Sequence, residues 1–197
     1  MITERKKTER EARKKLIIQS ALSVFKEKGL EHATMDEIAQ KADFGKATLY
    51  YYFKSKDEIF NTILFDGWQS LWEGIEEYIV QTESPRQTFI VILKKLAEMV
   101  NENRALYEFL FFAPQSLPAS EGQEPGWKQF QVRLYNTLLQ LIEEAMDKNE
   151  FPKMDSHLVL KALGGVFHGM IFWGADREKI TENAIEIFLE KFIKTHD

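Results

Sequence analysis

The chain contains no cysteine, which excludes disulfides and thiolate metal sites alike. Its 197 residues include only 4 histidines, and no H-E-x-x-H pair is among them, so the common zinc patterns are also excluded. No G-x-S-x-G elbow is present, and no segment reads convincingly as a strand that could lead into a glycine-rich phosphate loop. The stretch Gly164-Gly165-Val166-Phe167-His168-Gly169 lies in a helical pattern and is not a nucleotide fingerprint. Carboxylates are plentiful, but they fall at solvated helical positions. These absences argue against an enzyme, and neither a cofactor nor a metal is expected. Long apolar runs are missing too. The longest, Leu163 to Ala175, is too short and too rich in glycine to span a bilayer. The charged start of the chain does not read as a secretory signal, so a soluble cytoplasmic protein is expected, with no membrane partner.

What is present is an apolar fraction of 44%, ample for a packed core of one or two domains. The 15 Phe and 4 Trp are many for this length and suggest an interior lined with aromatic side chains. The net charge of −5 taken whole argues against nucleic acid, but its distribution does not. Residues 1–56 hold 13 Lys/Arg and 8 Asp/Glu, a balance of +5; residues 57–197 hold 13 and 23, a balance of −10. A basic end on an acidic body is the footprint of a nucleic-acid-reading module.

The most specific stretch runs from Thr34 to Lys56. Thr34 and Glu37 form an S/T-x-x-E capping box that starts a short helix, in which Ile38 and Ala39 face inward and Ala42 ends the element. Asp43-Phe44-Gly45 make a turn. A second helix then carries Lys46 through Phe53, with Leu49 and Phe53 four apart on one buried face. A second capping box, Ser55 to Glu58, opens the next helix. This is the spacing of a helix-turn-helix. The start of its second helix is expected in the major groove, where Lys46 can donate to guanine O6 or N7 and Ala47 permits close approach or touches a thymine methyl. Thr48, Tyr50 and Tyr51 can donate to phosphate oxygens, fixing register without reading sequence. Thr34, Gly45 and Lys56 complete the expected DNA-contacting set, Thr34 and Lys56 at helix starts that can meet phosphates. Tyr52 divides evenly between packing and a peripheral phosphate contact.

These residues resemble the DNA-binding domain of the tetracycline-repressor (TetR) family of bacterial transcription regulators. The resemblance rests on T-x-x-E-I-A, then K-x-T-L-Y-Y-x-F, then K-S-K, and covers roughly residues 12–60. It departs from the family pattern at Asp43, where glycine usually opens the turn, at Gly45, where Ser or Thr often caps the reading helix, and at Tyr52, where His is common. The last two change possible DNA contacts, so no operator sequence is carried over. The resemblance implies an all-α protein, with an N-terminal three-helix DNA-binding domain at 1–56 and a helical ligand-binding and dimerisation domain at 57–197. It further implies a homodimer formed by the last two helices, an operator in double-stranded DNA, and a repressor released by a small molecule. An activator, or a regulator that needs its ligand as co-repressor, would use the same features. So would a structural DNA-binding protein or a helical interaction module without ligand response.

Around this motif, residues 1–9 read as a mobile basic arm, with Arg5, Lys6 and Lys7 able to lie along phosphates. An amphipathic helix is expected from about Arg10 to Lys28, closed by Gly29 in a left-handed conformation. Another is expected from Asp57 to about Thr82, with Ile59, Ile63, Phe65, Trp68, Leu71, Trp72, Ile75 and Ile79 inward. Ser84-Pro85 restarts a helix, Arg104 to Phe112 is a short one, and Gln115 to Glu124 is a loop. A further helix opens at Pro125 or Gly126, and the last two span about Ser156 to Trp173 and Glu178 to Lys194. A pocket for a small apolar or aromatic ligand would be lined by Trp68, Trp72, Phe89, Phe109, Phe112, Trp127, Phe130 and Phe167, with Arg133 and His168 as polar groups. Arg104, Asn136 and Gln140 are further polar candidates. For any one of these aromatics, plain core packing is the commoner role.

Overall fold

Helical spacing of apolar residues runs through the chain, and the computed structural model is helical accordingly. It describes residues 2–79, 83–112, 125–173 and 187–188. Among these, eight helices and no strand occur: α1 Ile2–His32, α2 Met35–Lys41, α3 Lys46–Tyr52, α4 Lys56–Glu76, α5 Pro85–Glu102, α6 Arg104–Phe112, α7 Lys128–Asp147 and α8 Ser156–Phe172. The expected all-α class stands. The expected loop at 115–124 lies outside the described residues, as does the final helix apart from residues 187–188. None of the described helices is long and apolar enough to cross a membrane.

The chain divides into two compact units. The first comprises Met1–Gly67 with Phe109–Pro125; the second comprises Trp68–Glu108 with Gly126–Asp197. The division falls inside α4 and inside α6. The reason lies in the core of the first unit. Ile59, Phe60, Ile63 and Leu64 of α4 are all but inaccessible, and the Phe60 ring meets Phe25 of α1 edge-on at 5.7 Å. Cutting the chain after Lys56 would strip that core of one wall.

In the first unit, α1 contributes Ile17, Ala21, Val24 and Phe25, each at most 3% exposed. Its first half differs from the arm expected there. Residues from Ile2 onward are helical, although residues 4–13 are exposed. Pairing one turn apart explains this: Arg13 bonds Glu9 at 2.6 Å, and the Thr8 hydroxyl donates to the Glu4 carbonyl at 3.0 Å. Gly29 takes φ 75° and ψ 166° and kinks α1 before its final turn. Its positive φ agrees with the expected break, since a residue with a Cβ would be strained there.

The Thr34–Glu37 box closes in both directions: the Thr34 hydroxyl accepts from the Glu37 N–H at 3.3 Å, and the Glu37 carboxylate accepts from the Thr34 N–H at 3.0 Å. The same carboxylate pairs with Lys28 of α1, and Glu27 pairs with Lys41 of α2. Hydrogen bonding to these lysines, then to Thr34 and Ser23, holds both glutamates below the usual carboxylate value. Depressed folded values mean the two contacts support the fold above the ordinary carboxylate range and lose that support as pH falls through the lowered values. Asp43 adopts φ 57°, as the turn requires of it. Around Ser55 the box is only half closed. Its hydroxyl caps the Glu58 N–H at 3.2 Å, while Glu58 reaches past it to the Lys54 N–H at 2.6 Å.

In the second unit, Ser84 caps α5 through the Gln87 N–H at 3.1 Å, with Pro85 in the first turn as expected. Glu150 accepts from the Ser84 hydroxyl at 2.8 Å and from the Arg86 N–H at 2.9 Å, joining the end of α7 to the start of α5. α4 ends at Glu76, short of the expected Thr82. Glu73, Glu76 and Glu77 crowd its C-terminus, where the helix dipole favours cations. Phe65 of α4, expected inside, is 36% exposed.

Because the capping box starts α2 and ties it to α1, Thr34→Ala should lower unfolding stability by about 1 kcal/mol, read by urea denaturation. Stability equal to that of the unaltered chain would show that the box contributes nothing.

Candidate nucleic-acid interface and the C-terminal aromatics

α3 has only seven residues, too few to persist as an isolated helix in water. It is held by its inner face: Leu49 is fully buried and Phe53, the residue that ends the helix, is 2% exposed. The opposite face is open. Gly45, Lys46 and Ala47 are exposed, Tyr50 is 45% and Tyr51 71% exposed, and Thr48 is half-buried. Gly45 precedes α3 in an extended conformation and offers no side-chain cap. The first N–H groups of α3 are therefore not taken by a capping side chain. Thr34 is exposed at the start of α2.

Two neighbours of this surface were not anticipated. Asp36, in the first turn of α2, meets the Lys46 ammonium with both oxygens, at 2.8 and 3.0 Å. Its hydrogen bond, then its charge, holds Lys46 above the ordinary lysine value. Both side chains are more than 60% exposed, so the pair is weak in water and can exchange for a base or phosphate. Arg10 of α1 lies 5.8 Å from the Tyr51 ring centroid, while Tyr52 meets the same ring edge-on at 5.2 Å. Tyr52 thus supports Tyr51, and Arg10 brings a cation beside it. The basic pattern of residues 1–15 was a signal for Arg10; nothing in the spacing signalled Asp36.

Lys56 behaves differently from the phosphate contact expected of it. It is half-buried, and its ammonium donates to the carbonyls of Leu30 at 2.8 Å, Glu31 at 2.9 Å and Ala33 at 3.0 Å. An ammonium has three donors, and all three are used. The carbonyls belong to the last turn of α1 and the residue after it, where helical bonding leaves acceptors unmatched and the dipole is negative. Lys56 is a cap supplied from the start of α4.

The expected ligand set splits. Phe109 stacks on Phe25 at 6.1 Å and meets Phe60 edge-on at 5.2 Å, making it a core residue of the first unit. Phe112 is 57% exposed. Trp68, Trp72, Phe89 and Trp127 are buried in the second unit, where Phe130, Phe167 and His168 are half-buried. Phe89 meets Phe151 edge-on at 6.0 Å, and His168 lies 4.9 Å from the Phe172 ring. The Arg133 guanidinium covers the Trp72 ring at 4.2 Å and bonds Glu76 at 2.9 Å. Asn136 and Gln140 point to solvent and Arg104 is half-buried. No group of three or more metal-ligating side chains occurs among the described residues.

A capped helix, a left-handed turn and a second helix with one buried and one donor-bearing face define a helix-turn-helix. Comparison with known proteins makes the assignment narrower. Residues 17–63 match the model of the family described as bacterial regulatory proteins, tetR family. The chain is 37% identical over 86 residues to the uncharacterised HTH-type transcriptional regulator YhgD of Bacillus subtilis; the match covers 42% of this chain and 45% of that protein, so it spans less than half the length of that relative. A candidate fatty acid metabolism regulator of Clostridium perfringens superposes with a TM-score of 0.70 at 27% identity, covering 88% of this chain and 95% of that one. The structure of AibR in complex with isovaleryl coenzyme A and operator DNA superposes with a TM-score of 0.75 at 15% identity, over 92% and 97% of the two chains, which shows a shared fold. Over residues 17–63 the chain carries the signature of the TetR family of bacterial regulatory proteins.

If Lys56 caps α1 rather than touching DNA, Lys56→Met should lower stability by about 1.5–3 kcal/mol, as for hydrogen bonds to a charged donor. The slope of log affinity for duplex DNA against log salt should stay unchanged. A slope smaller by about one would instead identify a lost phosphate contact.

Proposed function

We propose that the protein is a ligand-responsive repressor that binds a palindromic operator as a homodimer and is released by a small apolar molecule. The observation that carries the DNA-reading part is the face of α3 opposite Leu49 and Phe53, which offers Lys46, Ala47, Tyr50 and Tyr51 to solvent together. Lys46 at the start of the helix reads a base edge, exchanging Asp36 for guanine; Tyr50, Tyr51, Thr48 and Thr34 hold phosphates. A single such helix reads few bases, so specificity calls for two copies in successive major grooves.

Of the last two helices, expected to form the dimer, α8 lies among the described residues, and its surface together with that of its neighbour α7 supports the dimer. Val132, Tyr135, Leu158 and Val166 are between 38% and 58% exposed, and among the described residues nothing lies within 4 Å of where a Cβ would sit on Gly164, Gly165 or Gly169. Small residues beside exposed apolar ones suit close approach of a second helix pair. The buried aromatics Trp68, Trp72, Phe89 and Trp127 support an apolar ligand in the second unit, and AibR offers a precedent in a shared fold for one chain that holds both an acyl thioester and its operator. Ligand and DNA then oppose each other through a coupling free energy that is reciprocal by linkage.

Selection of bound duplexes from a random library at near-physiological salt should recover a palindrome whose half-sites are one helical turn, or a multiple of it, apart. Failure of the folded protein to enrich any sequence would contradict the reading. On the recovered site Lys46→Ala should cost about 1–3 kcal/mol, with a much smaller loss on random duplexes. Equal losses on both would reduce Lys46 to a phosphate contact.

A further inference from the structure

The aromatics of the second unit contain a polar feature that packing does not account for. Trp72 and Trp127 are each 3% exposed, and among the described residues neither indole N–H has a hydrogen-bond acceptor. An indole nitrogen is a donor and nothing else. A buried donor without a partner carries its full desolvation penalty, which a phenylalanine in its place would not have. Trp127 stands at the N-cap of α7, where a short oxygen-bearing side chain would be useful, and makes no capping bond. Its indole is therefore not kept there by the helix. Trp72 has a cation against its ring, the Arg133 guanidinium at 4.2 Å, and that guanidinium is held by Glu76 with more than half of its side chain in solvent.

From these donors we infer that the apolar ligand carries a hydrogen-bond-accepting head, a carboxylate or acyl carbonyl, which Trp72 and Trp127 recognise through their indole N–H groups. The inference rests on the ligand-responsive reading and adds the chemistry of the head. A ligand acceptor satisfies donors that are otherwise unmet in a water-poor interior, where such a bond discriminates strongly against a molecule lacking the acceptor. Arg133, exchanging Glu76 for the ligand, would favour a charged head over a neutral one. Cationic amphiphiles with the same tail offer these groups no acceptor and meet a guanidinium of like charge.

The test uses the full-length protein with 15N-labelled tryptophan, its indole resonances assigned with Trp72→Phe and Trp127→Phe. Hexanoate, decanoate and palmitate are the acceptor-bearing probes, methyl decanoate the uncharged one, and decylammonium the one without an acceptor. A carboxylate should move the Trp72 and Trp127 indole N–H resonances downfield, and decylammonium should leave them in place. A shift with methyl decanoate as well would assign recognition to the carbonyl; a shift with the carboxylates alone would add the Arg133 charge. Each Trp→Phe change should weaken binding of the effective probe by roughly tenfold, the worth of one ordinary hydrogen bond. The inference is overturned if no acceptor-bearing probe moves either resonance, or if decylammonium moves them equally. Operator retention measured on the same samples separates the two readings. Operator release by a probe without indole shifts would leave the ligand-responsive regulator standing and remove its head recognition. Indole shifts without any effect on operator binding would do the reverse.

Discussion

Docking of α3 onto the core of the first unit is the constraint on which everything else depends. Seven residues cannot hold a helix in water, so the reading surface exists only while Leu49 and Phe53 stay buried against the core that includes Phe25, Ile38 and Phe60. Each such side chain contributes about 1.5–3 kcal/mol when taken fully out of water, more than an exposed ion pair contributes. The polar contacts decide geometry instead. Thr34 and Glu37 fix where α2 begins, the positive φ of Asp43 sets the turn into α3, and Lys56 ties the start of α4 to the end of α1. Side chains that could have met DNA are thereby divided between scaffold and surface: Lys56 serves the scaffold, Lys46 the surface.

The Asp36–Lys46 pair gives that surface its sign control. Beside a lysine proposed to read DNA, an acidic residue adds a like-charge penalty against phosphate and would weaken indiscriminate attraction to DNA. Under the proposed reading, a guanine that offers O6 and N7 in the correct geometry would compensate for the lost pair, and a misplaced phosphate would do so less well. Specificity gains from this type of competition even when total affinity falls.

Much of this was legible in the sequence where the cause is local. A capping box, a glycine that breaks α1, an aspartate in a left-handed turn and Pro85 at the start of α5 each act within a few residues, and all stand where the spacing placed them. What was not legible depends on residues distant in sequence. Phe109 reads as one more aromatic on a short helix, yet its partners Phe25 and Phe60 lie 84 and 49 positions away. Lys56 matches the family motif, but its three acceptors lie more than twenty positions earlier. The first half of α1 looked like a free arm because it buries nothing; its pairing one turn apart holds it helical all the same. The unmatched indole donors of Trp72 and Trp127 belong to the same class, since burial without a partner is a property of the packed state.

Methylation interference on the selected operator probes whether α3 reads base edges. A methyl group on guanine N7 lies in the major groove and leaves the phosphates untouched. If the N-terminus of α3 reads base edges there, methylation should block binding at guanines in two clusters about one helical turn, or a multiple of it, apart. Losing Lys46 to alanine should erase the interference at one guanine of each cluster. Unimpaired binding to operators methylated at every guanine would mean that α3 does not read guanine in the major groove, and the account would fail.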